Sequence, residues 1–253
     1  MKLKQEANIR RLLQDKYNGR RSSGFNRDVI RLKKGEPLDY VIGWLPFLNC
    51  KIDLLLKPFI PRPETEYWME KAIAAIQSVG GQAKIADIFS GSGCIGIAVL
   101  KNVKNTQVDF FELDRKLIKQ IKINLHINKI SASRYRIFQG DAIKKLKGQY
   151  DFILVNPPYI ATERKYRVQA SVLKYEPRQA LFAGAGGLFY IKNILKLAKS
   201  RLQPNGQLWL EFDSFQKKPI ENLLKKLKYK KWNFYQDQYQ CWRYLQIFSN
   251  TVQ

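Results

Sequence analysis

The run Tyr150-Asp151-Phe152-Ile153-Leu154-Val155 is followed at once by Asn156-Pro157-Pro158-Tyr159. A short, mostly apolar stretch rich in aromatic and branched side chains predicts a strand buried in a sheet. The two prolines lack the N–H that a ladder needs and fix their own φ, so the strand stops at Val155. Its carboxyl end then carries an amide side chain, a proline carbonyl and an aromatic ring on a stiff backbone, a set that can grip a planar, NH-bearing group. An isolated Asn-Pro-Pro serves equally well as a tight turn. Its meaning therefore depends on what surrounds it.

From Glu64 onward, apolar strands alternate with amphipathic helices. The pattern predicts a helix over 65–78, strand 84–89, a glycine turn, helix 95–103, strand 107–112, helix 114–128 and strands 136–139 and 150–155. An irregular stretch follows, then helix 188–202, strand 207–212, helix 217–228 and two last runs near 231–237 and 242–249. Such alternation reads as an α/β fold with a mostly parallel, doubly wound sheet, whose right-handed crossovers place ligands at the strands' carboxyl ends. Residues 1–35 read as a short basic helical N-terminal region, with breaks at Asn18-Gly19 and Ser22-Ser23-Gly24. Residues 36–66, with Pro37, Pro46, Pro58, Pro61 and Pro63, read as a linker with a β-hairpin rather than helix. The main domain then covers 67–253.

The chain has 253 residues, 45% of them hydrophobic, enough for a large core and a small appendage. Met1-Lys2-Leu3-Lys4-Gln5-Glu6 lacks the apolar stretch of a signal peptide, and no apolar run is long enough to span a membrane. A soluble, cytoplasmic protein is expected. The Arg-rich start also resembles an organelle-targeting segment, but Glu6, Asp15 and Asp28 count against it. Cys50, Cys94, Cys241 and His126 are too scattered for a disulfide framework or a metal site. The 45 Lys and Arg against 21 Asp and Glu give +24, which suits weak contact with RNA or the ribosome or simply solvates helix faces.

The second strong feature is Asp87-Ile88-Phe89-Ser90-Gly91-Ser92-Gly93-Cys94-Ile95-Gly96. Glycines after a strand let backbone approach a ligand, and the helix that follows presents free N–H groups; a plain strand-to-helix turn has the same composition. Glu112 closes the next strand, where an acidic side chain can accept both hydroxyls of a ribose or stand as a surface carboxylate. Asp141, after Gly140, is placed either to meet an adenine or to cap a turn.

Glycine loop, acidic strand end and Asn-Pro-Pro-Tyr in this order resemble the Rossmann-like methyltransferases that use S-adenosylmethionine to modify planar nitrogens. Ile60-Pro61-Arg62-Pro63-Glu64-Thr65-Glu66, Tyr175-Glu176-Pro177-Arg178-Gln179-Ala180-Leu181, Gly35-Glu36-Pro37-Leu38 and Gly184-x-Gly186-Gly187-Leu188 further resemble the release-factor glutamine N5-methyltransferases. The resemblance covers about residues 31–249. It implies a seven-stranded methyltransferase sheet and, as substrate, the glutamine of the Gly-Gly-Gln motif in a peptide chain release factor. Asn156, Pro157, Pro158 and Tyr159 would hold that side chain, with Asn156, Pro157 and Tyr159 in the catalytic role. Phe89, Ser90, Gly91, Ser92, Gly93, Glu112, Asp141, Ala142 and Asn156 would hold S-adenosylmethionine and its product S-adenosylhomocysteine. The N-terminal helical region is shorter than is usual in this family, and Leu210-Glu211-Phe212-Asp213 stands where a Glu-His-Gly-like sequence is common.

Two other substrates share the tetrapeptide's chemistry. A DNA adenine presents a planar exocyclic amine and would suit the positive charge, but no DNA-reading domain is evident. A ribosomal-protein glutamine would use the same layout, and the 61–66 sequence fits the release-factor group better. A nucleic-acid-binding scaffold without activity is the non-enzymatic reading, opposed by intact Asn156 and Glu112.

Overall fold

The computed structural model describes residues 2–249. Three helices, α1 (Lys2–Tyr17), α2 (Ser23–Lys33) and α3 (Leu38–Ile42), precede a hairpin of β1 (Trp44–Phe47) and β2 (Cys50–Asp53). Then come α4 (Pro63–Ser78), β3 (Ala83–Ile88), α5 (Cys94–Asn102), β4 (Thr106–Glu112), α6 (Arg115–Ile127), β5 (Tyr135–Gln139), α7 (Ala142–Lys145) and β6 (Tyr150–Val155). After α8 (Ala170–Tyr175) follow α9 (Phe189–Arg201), β7 (Leu202–Glu211), α10 (Lys217–Lys226), β8 (Lys231–Gln236) and β9 (Trp242–Phe248).

The main sheet has seven strands in the order β5-β4-β3-β6-β7-β9-β8. Five parallel strands end in an antiparallel β7–β9 pair, and β8 closes the edge against β9. The chain runs outward from β3 through β4 to β5, then returns to lay β6 on the other side of β3. That reversal makes β3/β6 the topological switch point, where the carboxyl ends of two neighbouring strands open a crevice. Ile88 pairs with Val155, so Phe89 and Asn156 are the next residues on adjacent strands.

Two apolar cores sandwich the sheet. One gathers Trp68, Met69, Ile97, Phe110 and Phe152 beneath α4, α5 and α6; the other gathers Ile153, Ile194, Leu208 and Ile220 beneath α9 and α10. The hairpin belongs to the first, through Phe47 and Ile52. Its outer edge is closed by side chains. Gln120 and Asn124 of α6 and Asn128, which caps it, form a buried stripe at i, i+4 spacing, and their side-chain carbonyls accept from the Leu56, Asp53 and Lys51 backbone N–H groups at 2.8, 2.8 and 3.0 Å. Three amides thus replace a missing strand, as buried backbone donors require.

The stretch expected to be free of helix between 36 and 66 contains α3 and the first residues of α4. Pro37 precedes α3 and Gly43 ends it in the left-handed region (φ 98). Pro63 starts α4 at its first turn, where a missing N–H costs nothing. Leu38, Val41 and Ile42 pack with Leu12, Phe25 and Leu32 into a separate N-terminal core. Beside it Asp28 is held by Lys16, Tyr17 and Arg31.

Candidate active site

The carboxyl ends of β3, β4 and β6 frame a cavity of about 660 Å³. Phe89, Ser90, Gly91, Ser92, Glu112, Asp141, Ala142 and Asn156 to Tyr159 all line it; Gly93 does not. Gly93 instead starts α5 in the left-handed region (φ 80), and a Cβ there would press on Ile97 and Ile121 at 3.2 Å. Its contribution is to let the loop turn into the helix.

The loop after β3 is tied down from several sides. Ser90 exchanges backbone and side-chain hydrogen bonds with Phe111 of β4. Asn124 donates to the Ser92 carbonyl at 2.9 Å, which joins the α6 amide stripe to the loop. Phe89 adopts φ 61, a conformation costly for a residue with a Cβ, and its ring meets Tyr190 edge-on at 5.1 Å.

Glu112 is buried, and its carboxylate accepts from Gly91 N–H at 2.8 Å and Asp114 N–H at 2.9 Å. Burial raises its pKa while those donors oppose the shift. These backbone donors do not exhaust the lone pairs of a carboxylate that borders the cavity. Asp141 caps α7 by accepting from Ile143 N–H at 2.9 Å, so the turn-capping reading of this residue is realised at a position that also faces the cavity. Asp87 lies fully buried behind the loop. One oxygen accepts from Gly96 N–H at 3.0 Å, and the other has no partner among the described residues. Burial pushes its pKa up to about 7, against the Gly96 N–H and with the help of Glu112's charge.

Across the cavity, Asn156 Nδ2 donates to the Thr65 hydroxyl at 3.1 Å. Thr65 donates at 2.7 Å, and Trp68 Nε1 at 2.8 Å, to one oxygen of Glu211; the Tyr159 hydroxyl donates to the other at 3.0 Å. Glu211 is 1% exposed, and burial raises its pKa against these donors and the charge of Arg243. The Tyr159 backbone is held as well: Gln216 Nε2 donates to its carbonyl at 2.9 Å, and Gln216 Oε1 accepts from Asp213 N–H in a capping box. Gly187 lies so close that a Cβ would run into the same carbonyl. The Leu210-Glu211-Phe212-Asp213 sequence thus supplies two fixtures of the tetrapeptide.

Residues 160–188, expected as an irregular stretch, form several short helical turns, of which Ile160 and Gln179 to Leu181 border the cavity. Glu176, 4% exposed, fastens them by accepting from Ile60 N–H at 3.1 Å and pairing with Arg62. Sequence reading passed over Thr65, Trp68, Glu211 and Gln216 as site residues. Thr65 did lie in a singled-out motif, and a carboxylate inside the apolar run Leu208–Phe212 is itself a signal, because a buried charge demands partners.

The family model "Methyltransferase small domain" matches residues 73–189. Among solved structures, a methyltransferase from Pyrococcus furiosus is similar with a TM-score of 0.59 and 19% identity, over 90% of this chain and 99% of that one. The N-terminal domain of human METTL16 in complex with SAH is similar with a TM-score of 0.57 and 19% identity, over 81% and 77%. These likenesses establish the Rossmann-like methyltransferase fold. The release factor glutamine methyltransferase of Lactococcus lactis is 35% identical over 181 residues, 72% of this chain and 65% of that protein. Those of Thermodesulfovibrio yellowstonii and Flavobacterium psychrophilum are 33% and 31% identical, over 76% and 83% of this chain and 69% and 75% of theirs. Taken with identity that extends across most of both partners in the latter two alignments, the geometry around Asn156 has its family: this chain belongs to the release factor glutamine methyltransferases.

Proposed function

We propose that this chain transfers a methyl group from S-adenosylmethionine to the N5 side-chain nitrogen of the glutamine in the Gly-Gly-Gln motif of peptide chain release factors, in the cytoplasm. The observation that carries the reading is Asn156: its Nδ2 is taken by Thr65, while Oδ1 has no protein donor among the described residues and the side chain borders the cavity. The Pro157 carbonyl beside it is likewise free of protein donors there. Two acceptors side by side match the two N–H groups of a primary amide.

The residues also fit the methyl donor. The cavity volume lies within the range of sites for ligands of this size. Glu112 keeps lone pairs for two vicinal hydroxyls, the Asp141-Ala142 corner borders the same space, and the Phe89–Gly93 loop brings backbone to it. When bound, S-adenosylmethionine supplies an electrophilic methyl group on a positively charged sulfur. The protein's own task is orientation. An amide nitrogen is a poor nucleophile because its lone pair is shared with the carbonyl, so holding both N–H groups fixes the plane and the face that is presented. The Tyr159 ring, on a backbone clamped by Gln216, borders the same cavity and can pack on the amide face.

In this reading residues 67–253 are the catalytic domain, 36–66 join it to the N-terminal helical region 1–35, and the basic surface makes weak contacts with RNA or the ribosome. The test is incubation with labelled methyl donor and, in separate reactions, a release factor, its Gly-Gly-Gln→Gly-Gly-Ala variant, ribosomal protein and DNA. Label on the intact release factor alone is expected; label on DNA or ribosomal protein instead would overturn the assignment.

A further inference from the structure

The hydrogen bonds from Asn156 to Glu211 run in one direction only. Glu211 Oε2 is the acceptor at the end of the run, and the Thr65 hydroxyl commits its single proton to it, at 2.7 Å. Trp68 Nε1, a donor only, reaches the same oxygen at 2.8 Å and reinforces that polarity. What Thr65 has left for Asn156 is lone pairs. Lone pairs select the NH2 end of the amide, as the 3.1 Å bond from Nδ2 records. In the opposite flip, Oδ1 would face the Thr65 lone pairs and the NH2 group would confront the N–H groups of an incoming amide. Donor would meet donor, and a buried acceptor would go unpaired.

We infer that Thr65 and Glu211 are positioning residues that lock the Asn156 side chain with Oδ1 toward the substrate amide. The inference rests on the reading of Asn156 as the glutamine clamp. The same carboxylate takes the Tyr159 hydroxyl on its other oxygen, so both ends of the Asn156–Tyr159 segment are indexed on one buried group. Thr65 stands at the start of α4 and Glu211 at the end of β7. Thr65 borders the cavity and Glu211 lies buried behind it, and both act through Asn156 and Tyr159 rather than as reacting groups.

The experiment uses the full chain and compares Thr65→Val, which keeps the branched shape without the hydroxyl, with Thr65→Ser, which keeps the hydroxyl. With a purified release factor and saturating S-adenosylmethionine, Thr65→Val should lower kcat on the order of 100-fold, the scale of a misdirected reacting group. KM for the release factor and the calorimetric affinity for S-adenosylhomocysteine should stay at wild-type values, and Thr65→Ser should recover most of the turnover. A second readout needs no activity. In 15N-labelled protein, the Nδ2 proton pair of Asn156, identified by its loss in Asn156→Asp, should move in Thr65→Val and return in Thr65→Ser. Wild-type kcat in Thr65→Val, or an unmoved Asn156 signal, overturns the inference; so does a kcat loss matched by an equal loss of S-adenosylhomocysteine affinity. A wild-type chain that methylates no release factor sinks the functional reading instead, and the Asn156 signal then decides the locking on its own.

Discussion

Tyr159 donates its phenolic hydrogen to Glu211 Oε1 at 3.0 Å, which joins the loop after β6 to the end of β7. The hydroxyl lies among protein atoms although the ring keeps a face on the cavity, and its burial, together with the nearby carboxylate, raises the phenol's pKa well above the ordinary range. Replacing the hydroxyl leaves one oxygen of a buried carboxylate short of a donor. Tyr159→Phe should therefore cost about 1–3 kcal/mol of stability. Chemical denaturation of the two proteins at neutral pH reads this directly, and an unchanged midpoint would show that water replaces the phenol without penalty.

Removing the amide that meets the substrate should separate binding from turnover. In Asn156→Ala, methyl transfer to a release factor should fall at least on the order of 100-fold, while calorimetric affinity for S-adenosylhomocysteine stays close to wild type. Of the residues assigned to the donor only Asn156 is changed; Glu112, the Asp141-Ala142 corner and the loop after β3 are untouched. Retained turnover in this variant would remove Asn156 from the mechanism.

Asp87 should make stability depend on pH in the direction opposite to most carboxylates. Its folded pKa is raised to about 7 from 3.8, so the folded state binds its proton more tightly than the unfolded chain. The associated stability is complete below about pH 4 and is lost as pH rises through about 7. Between pH 5 and 8 the loss is about 3 kcal/mol at 1.36 kcal/mol per unit. Other buried carboxylates titrate too, so the measurement is the difference between wild type and Asp87→Asn in urea midpoints at the two pH values. A difference that does not change with pH would mean that Asp87 stays ionised throughout.

The amide stripe on α6 is a structural fastening with a reach into the site. Asn124 accepts from Asp53 N–H at 2.8 Å and donates to the carbonyl of Ser92 at 2.9 Å. Asn124→Leu fills the space but abandons a buried donor and a buried acceptor, at a cost of about 2–4 kcal/mol. Thermal melting should register that loss, and calorimetry should register weaker S-adenosylhomocysteine binding because the loop after β3 loses a tether. Lys122→Ala on the solvent side of the same helix is the control and should change neither.

The parts of this molecule readable from sequence are those set by nearby residues. The ends of β3, β4 and β6 were marked by Gly91, Glu112 and Asn156-Pro157, because a strand's stop and its last side chain are local matters. The helix α3 escaped notice, since Leu38–Ile42 is too short to display a period and sits between Pro37 and Gly43. Strand β7 begins at Leu202, ahead of the expected Gln207, because Tyr150 pairs with Leu202 despite Pro204 and Gly206, with a register shift between Tyr150 and Phe152. The partnership of Thr65 with Glu211 spans 146 positions and becomes visible only once the sheet has brought α4 and β7 together. Charge told least: the described ion pairs scatter over several elements and mark no single face.

Thr65 and Glu211 both fall outside residues 73–189, the stretch by which the methyltransferase domain is identified, whereas Asn156 lies inside it. A fragment cut at those limits would keep the glycine loop, Glu112 and the tetrapeptide, yet would leave the Asn156 amide free to turn either way. Excision, domain fusion or circular permutation of this chain should therefore be planned around α4 and β7, whose side chains give an otherwise rotatable amide its handedness.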